Sequence, residues 1–211
     1  MKKECCREQD WEILGIDHVA IAVRNIDVWE AFYVQGCGGK RFYKIEDANP
    51  DGPSSMRLCG IKVGGLSLAL IQGIDREEVS QVTKYVAQHG DHSYQHIAVA
   101  VRNIEAFMRD LCGKGVSLLG ELKQREDPTW GGEVKQIFAL PFDPELDPDE
   151  APFFEFVERP QKGASFTSGD SFSDDFAKAL FQDVEAAAKS GKRKSFISAE
   201  ALSKIFLAYR K

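Results

Sequence analysis

The 211-residue sequence predicts an α+β fold in which two βαβββ modules form an eight-stranded, incompletely closed barrel-like sheet, followed by C-terminal helices. Three observations carry this expectation. The segment 18–27 (HVAIAVRNID) recurs as 96–105 (HIAVAVRNIE). A unit of that length present only twice suggests two copies of one small module packed together, not a solenoid. Each copy opens with strict apolar alternation, as a half-buried strand does. Each strand is followed by an asparagine that can cap a helix.

Side chains on a strand alternate between faces. In the first copy Val19, Ile21 and Val23 therefore share one face, and Ile16, His18, Ala20 and Ala22 share the other. In the second copy the faces are Ile97, Val99 and Val101 against Tyr94, His96, Ala98 and Ala100. Each histidine has alanines as its neighbours, which leaves space beside it. Asn25 and Asn103 are the expected caps of helices running through Ile26, Trp29, Phe32 and Tyr33 and through Ile104, Phe107, Met108 and Leu111. Glycines at 36–39 and 113–115 end them. Further strands are expected at 41–45, 56–63 and 66–72, with a turn at 49–55, and at 117–123, 133–138 and 153–157, with an acidic loop at 143–150. A polar linker helix is expected at 76–88, an amphipathic helix at 176–188, a solvated basic linker at 190–195, and a last helix at 198–209 capped by Ser198. The organisation is then a first module at 11–75, a linker at 76–92, a second module at 93–160 and a C-terminal region at 161–211, all in one integrated domain. Two modules side by side would make a cup whose concave face carries the alanine and histidine rows.

Hydrophobic residues make up 43% and charged residues 28%, ordinary globular usage that excludes collagenous and disordered readings. The net charge of −6 gives no general attraction for nucleic acid or anionic lipid, so neither is an expected partner. Five cysteines, an odd number with no CxxC pair, fit a reducing cytoplasm better than a disulfide framework. Cys5 and Cys6 read as surface thiols. No apolar signal region or membrane-length run of about 18 residues is visible.

Two histidines at equivalent positions of two modules can meet across the pseudo-symmetry axis, and imidazole is a common ligand for borderline metals. A third donor is Glu155, a carboxylate between Phe154 and Phe156 in a segment fit for burial, where a metal or tight partner would offset its desolvation. Its neighbour Glu158 is expected to point the other way, toward Arg159. Overlaying the strand ends makes Glu155 correspond to Ala69, so the first module supplies no matching carboxylate. Two histidines and one carboxylate leave coordination positions open, the arrangement associated with non-haem Fe(II) oxygenases. His89 and His92 read as turn residues.

At these residues the chain resembles the vicinal oxygen chelate (glyoxalase/dioxygenase) superfamily, and most the catalytic C-terminal half of the 4-hydroxyphenylpyruvate dioxygenase and hydroxymandelate synthase group. The first ligand strand is matched around Ile16–Val19, the linker helix and second ligand strand between Ser80 and Ala98, and the paired C-terminal strands by Gln136–Phe138 and Pro152–Arg159. The resemblance spans residues 13–188. It implies that His18, His96 and Glu155 bind Fe(II), with Zn, Mn, Co or Ni as alternatives. It implies that Gln136 contacts substrate and that Phe172 and Phe176 lie near a C-terminal gate helix. The implied activity is O2-dependent oxidative decarboxylation of a small 2-oxo acid or related chelating substrate by a monomer or homodimer. Metal-dependent isomerase, epimerase or lyase chemistry, extradiol ring cleavage and non-catalytic ligand binding stay open on the same scaffold.

Overall fold

The computed structural model describes residues 10–126, 131–142, 150–160, 172–190 and 196–209; the side chain of Phe176 lies outside the described residues. So do Cys5, Cys6, most of the acidic loop at 143–150 and most of the basic linker at 190–195.

The first module contains β1 (Glu12–Ala22), α1 (Ile26–Ala31), β2 (Lys40–Ile45), β3 (Ser54–Val63) and β4 (Leu66–Asp75). After α2 (Gln81–His89) the second repeats the order with β5 (Ser93–Arg102), α3 (Ile104–Gly113), β6 (Leu118–Glu126), β7 (Glu133–Ala139) and β8 (Phe153–Glu158). The C-terminal helices are α4 (Asp174–Lys189) and α5 (Ala199–Tyr209). All eight strands join one sheet in the order β2-β3-β4-β1-β5-β8-β7-β6. The modules meet at the antiparallel pair β1 and β5, and each central strand pairs in parallel with the last strand of its own module.

The asparagine caps form as the sequence suggests. Asn25 accepts from the amides of Asp27 and Val28, and Asn103 accepts from that of Ala106. A π-helical turn, Phe32–Gly36, continues α1. The linker helix starts later than expected, because β4 extends to Asp75 and its carboxylate accepts the Ser80 amide at 2.9 Å. Ser80 then caps α2 through the Val82 amide, so 76–80 is a turn. The helix also buries Val82, Tyr85 and Val86, a face hidden by its polar composition.

Outside the sheet, Val19, Ile21 and Val23 pack with Ile26 and the half-buried Trp29 and Tyr33. Val101, Ile104, Phe107 and Phe156 do the same for α3. On the other face, α4 buries Ala177, Leu180, Phe181 and Val184 against Leu58, Ile71, Phe138 and Phe153. Polar contacts hold α4 to both halves: Tyr43 donates to Asp174, Ser54 to Glu185, and Lys123 pairs with Asp183. Ser198 accepts from the Ala201 amide and caps α5, whose Phe206 and Tyr209 face outward, Tyr209 at 88% exposure. Among the described residues no helix is long and apolar enough to cross a membrane.

Candidate metal centre

The register of the central pair sets His18 opposite Ala98 and Ala20 opposite His96. The two rings lie 5.6 Å apart between centroids, nearly perpendicular at 78°. Parallel pairing of β5 with β8 places Glu155 beside Ala98. The Nε2 atoms of His18 and His96 are 3.3 and 3.4 Å from the same Glu155 carboxylate oxygen. One donor atom from each of the three residues lies within 4.8 Å of the others, and all three residues are at most 5% exposed.

Two β-bulges aim this cluster. Between Ile16 and His18 the register skips Asp17, and opposite Ala20 and Ile21 it skips Gln95. A bulge inserts one residue and re-aims the side chains around it. Alternation alone would send Asp17 and Gln95 to the outer face. Instead His18 donates from Nδ1 to Asp17 Oδ1 at 2.8 Å, and His96 donates from Nδ1 to Gln95 Oε1 at 3.1 Å. With Nδ1 of each ring committed to Asp17 or Gln95, Nε2 is the atom that each ring turns toward the Glu155 carboxylate. The same bulges correct the expectation that Ile16 and Tyr94 line the histidine face: they are 49% and 64% exposed.

Arg159, just beyond β8, closes the arrangement by donating from Nε and Nη2 to the two oxygens of Asp17 at 2.6 and 2.9 Å. Asp17 is wholly buried. Glu158, expected near Arg159, instead accepts from the amides of Asn103 and Ile104 at the start of α3. That site offers unsatisfied N–H groups and the positive end of the helix dipole.

Burial alone would raise the acids and lower the histidines. Burial does raise the Glu155 carboxyl, but the His18 charge and hydrogen bonds from both rings overcome it and bring it down to about 2. For His18, burial is outweighed by the Glu155 charge and the Asp17 contact, which lift it to about 9. For His96 burial prevails over Glu155, and its pKa falls. Asp17 is held well below the carboxylate range because Arg159 and His18 overcome its burial.

A cavity of about 40 Å³ opens at the cluster, lined by His18, His96, Glu155, Gln136, Arg125 and Phe172 among others. Its volume suits a few water-sized groups. The Phe172 ring centroid is 4.9 Å from that of His18, edge to face, and Phe153 stacks on His96 at 5.0 Å. Gln136, buried on β7, joins this wall. Ala20 pairs with Ala69 as Ala98 pairs with Glu155, so Ala69 occupies the symmetry-related place of the carboxylate. The donor chemistry fits a divalent ion: two oriented imidazoles and one ionised carboxylate, buried together. Asp17, Gln95, Arg125 and Arg159 were not singled out as site residues from sequence; the position before each repeated histidine was the available signal for the first two.

A triple mutant of 4-hydroxymandelate synthase from Streptomyces coelicolor shares the fold at a TM-score of 0.65 and 21% identity, over 82% of this chain and 54% of that one. Methylmalonyl-CoA epimerase from Mycobacterium tuberculosis aligns at a TM-score of 0.50 and 26% identity, over 71% of this chain and 90% of that one. The mitochondrial methylmalonyl-CoA epimerase of Homo sapiens is 25% identical over 111 residues, covering 53% of this chain and 60% of the human protein. The chain thus matches little more than half the length of the synthase and of the human epimerase. Residues 17–131, more than half of the chain and including both histidines, match the Glyoxalase/Bleomycin resistance protein/Dioxygenase superfamily, and the chain belongs to that superfamily.

Proposed function

We propose that the protein is a cytoplasmic, mononuclear non-haem Fe(II) dioxygenase of the 4-hydroxyphenylpyruvate dioxygenase type, acting on a small 2-oxo acid or related chelating substrate. The observation that carries this reading is the three-donor set His18, His96 and Glu155 with alanine, not a fourth donor, at position 69. Bound Fe(II) would offer its remaining positions to the substrate's carboxylate and keto oxygens and to O2. In the net reaction the bond between the carboxyl and keto carbons breaks and CO2 leaves. One oxygen atom ends in the new carboxylate and the other in the oxidised product.

The chain's own residues do the rest. Gln136 presents an amide that can donate to and accept from the substrate, fixing its orientation. Arg125 places a positive charge on the cavity wall that favours an anionic ligand. Phe172, over His18, keeps water from the reacting groups. Anaerobic loading with Fe(II), then a panel of aryl and aliphatic 2-oxo acids with O2, should give CO2 and oxygen uptake in equal amounts. A metal-loaded protein that consumes no O2 with any of them would reject the reading.

The identity to methylmalonyl-CoA epimerases favours a second reading, metal-dependent epimerisation of an acyl-CoA. This predicts exchange of a substrate α-proton with deuterated solvent in the absence of O2. If that exchange occurs and oxygen uptake does not, the epimerase reading replaces the first.

A further inference from the structure

The two histidines sit in matching bulges yet are backed by chemically different groups. Behind His18 stands a wholly buried carboxylate, Asp17, whose two oxygens are held by the Arg159 guanidinium at 2.6 and 2.9 Å. Behind His96 stands the neutral amide of Gln95, at 3.1 Å. We infer that Asp17, clamped by Arg159, is a positioning residue that makes His18 the stronger and more rigid metal donor, while His96 is the weaker one. The inference rests on the reading of His18 and His96 as metal ligands.

A carboxylate accepting the Nδ1 proton fixes the tautomer, orients the ring and increases the basicity of Nε2. A neutral amide oxygen fixes the same tautomer but adds no charge. Arg159 contributes in two ways. Its fork immobilises the carboxylate in two directions, so the Asp17 side chain cannot turn back to the outer face. It also joins the strand carrying Glu155 to the strand carrying His18, because it lies four residues beyond Glu155 on the same chain segment. The carboxylate ligand and the stronger imidazole are thereby held as one unit, and His96 completes the set from β5.

Direct titration with Co(II), followed by its visible absorption, tests this on the full chain. Removing such a partner typically weakens metal binding by about 10–100-fold. Asp17→Asn should lose affinity in that range and shift the Co(II) bands, with a far-ultraviolet dichroism spectrum like that of the starting protein. Since D17N leaves Arg159 facing a neutral amide in the interior, the double variant D17N/R159Q removes both charges and should show the same loss. Gln95→Glu gives His96 the backing that His18 already has, and should tighten Co(II) binding several-fold. Affinities within twofold of the starting protein for both D17N and D17N/R159Q overturn the inference, as does a Q95E protein whose affinity does not rise. If the starting protein itself binds no Co(II), the metal reading falls first, and the inference with it.

Discussion

Gly60 offers a sharp test of how the cavity is closed. It lies on β3 opposite Ala69, and a methyl group at its Cα would sit 2.7 Å from two ring carbons of Phe42 and 2.9 Å from Cδ2 of Phe172. These distances are inside van der Waals contact, so Gly60→Ala requires a ring to move. Both rings must give: Phe42 sits on β2 with its ring centroid 5.2 Å from that of Phe172, so the crowding is passed to Phe172, which precedes α4 and is pushed from its place against His18. Overpacking of this kind costs about 1–3 kcal/mol. At about 2–4 °C per kcal/mol for a chain of this size, Tm should fall by about 2–12 °C in calorimetry. Displacing the ring also uncovers the cluster, so a chelator should strip bound Co(II) faster from the variant than from the starting protein. A Tm within about 1 °C and an unchanged stripping rate would refute the assignment of Gly60 as the seat of Phe172.

Ions that bind only the folded chain stabilise it by about 2.7 kcal/mol at a free concentration 100 times Kd. Tm should therefore rise by about 5–11 °C with saturating Co(II), and Glu155→Ala should abolish the rise. Without metal, stability should depend on pH through the His18 and Glu155 pair. The raised His18 contributes fully below its ordinary value of 6.5 and loses its contribution as pH climbs toward about 9, so Tm should decline over that window. The lowered Glu155 contributes above 4.5 and loses its contribution as pH falls toward about 2. A His18→Gln protein that keeps the same alkaline slope in a chelator-treated thermal series would contradict this. Phe181, fully buried where α4 meets the sheet, should cost about 3–5 kcal/mol when changed to alanine. A urea midpoint close to that of the starting protein would show that α4 is not part of the cooperative core.

Much of the architecture was legible because the repeat exposes it. One decapeptide written twice locates both histidine strands, both caps and the pseudo-twofold relation, and the overlay of the strand ends 68–73 and 154–159 gives the correspondence of Glu155 with Ala69. What stayed hidden was anything that breaks period two. A bulge adds one residue without a distinctive composition, so Ile16 and Tyr94 read as lining the histidine face, whereas the structure leaves them 49% and 64% exposed and buries Asp17 and Gln95 behind the two rings. Arg159 was read with the adjacent Glu158, although its partner Asp17 lies at the other end of the chain and Glu158 serves α3. Long-range polar pairing is decided by the folded surface and not by neighbourhood in sequence. The outward side chains of α5 have the same origin: an apolar helix pattern says that a face exists and not which way it turns.

The alanine at position 69 divides the labour of the two repeats unequally. Both repeats carry a histidine at the matching place, but only the second carries an acid on its last strand. The last strand of the first repeat offers no donor at that place, and the wall that this repeat presents, Leu58, Ala69 and Ile71, is greasy. The first repeat thus adds His18 and an apolar wall to the cluster, and the second adds His96 and the acid. Substitutions at Leu58, Ala69 and Ile71 would therefore change the shape and polarity of the cavity without touching His18, His96 or Glu155.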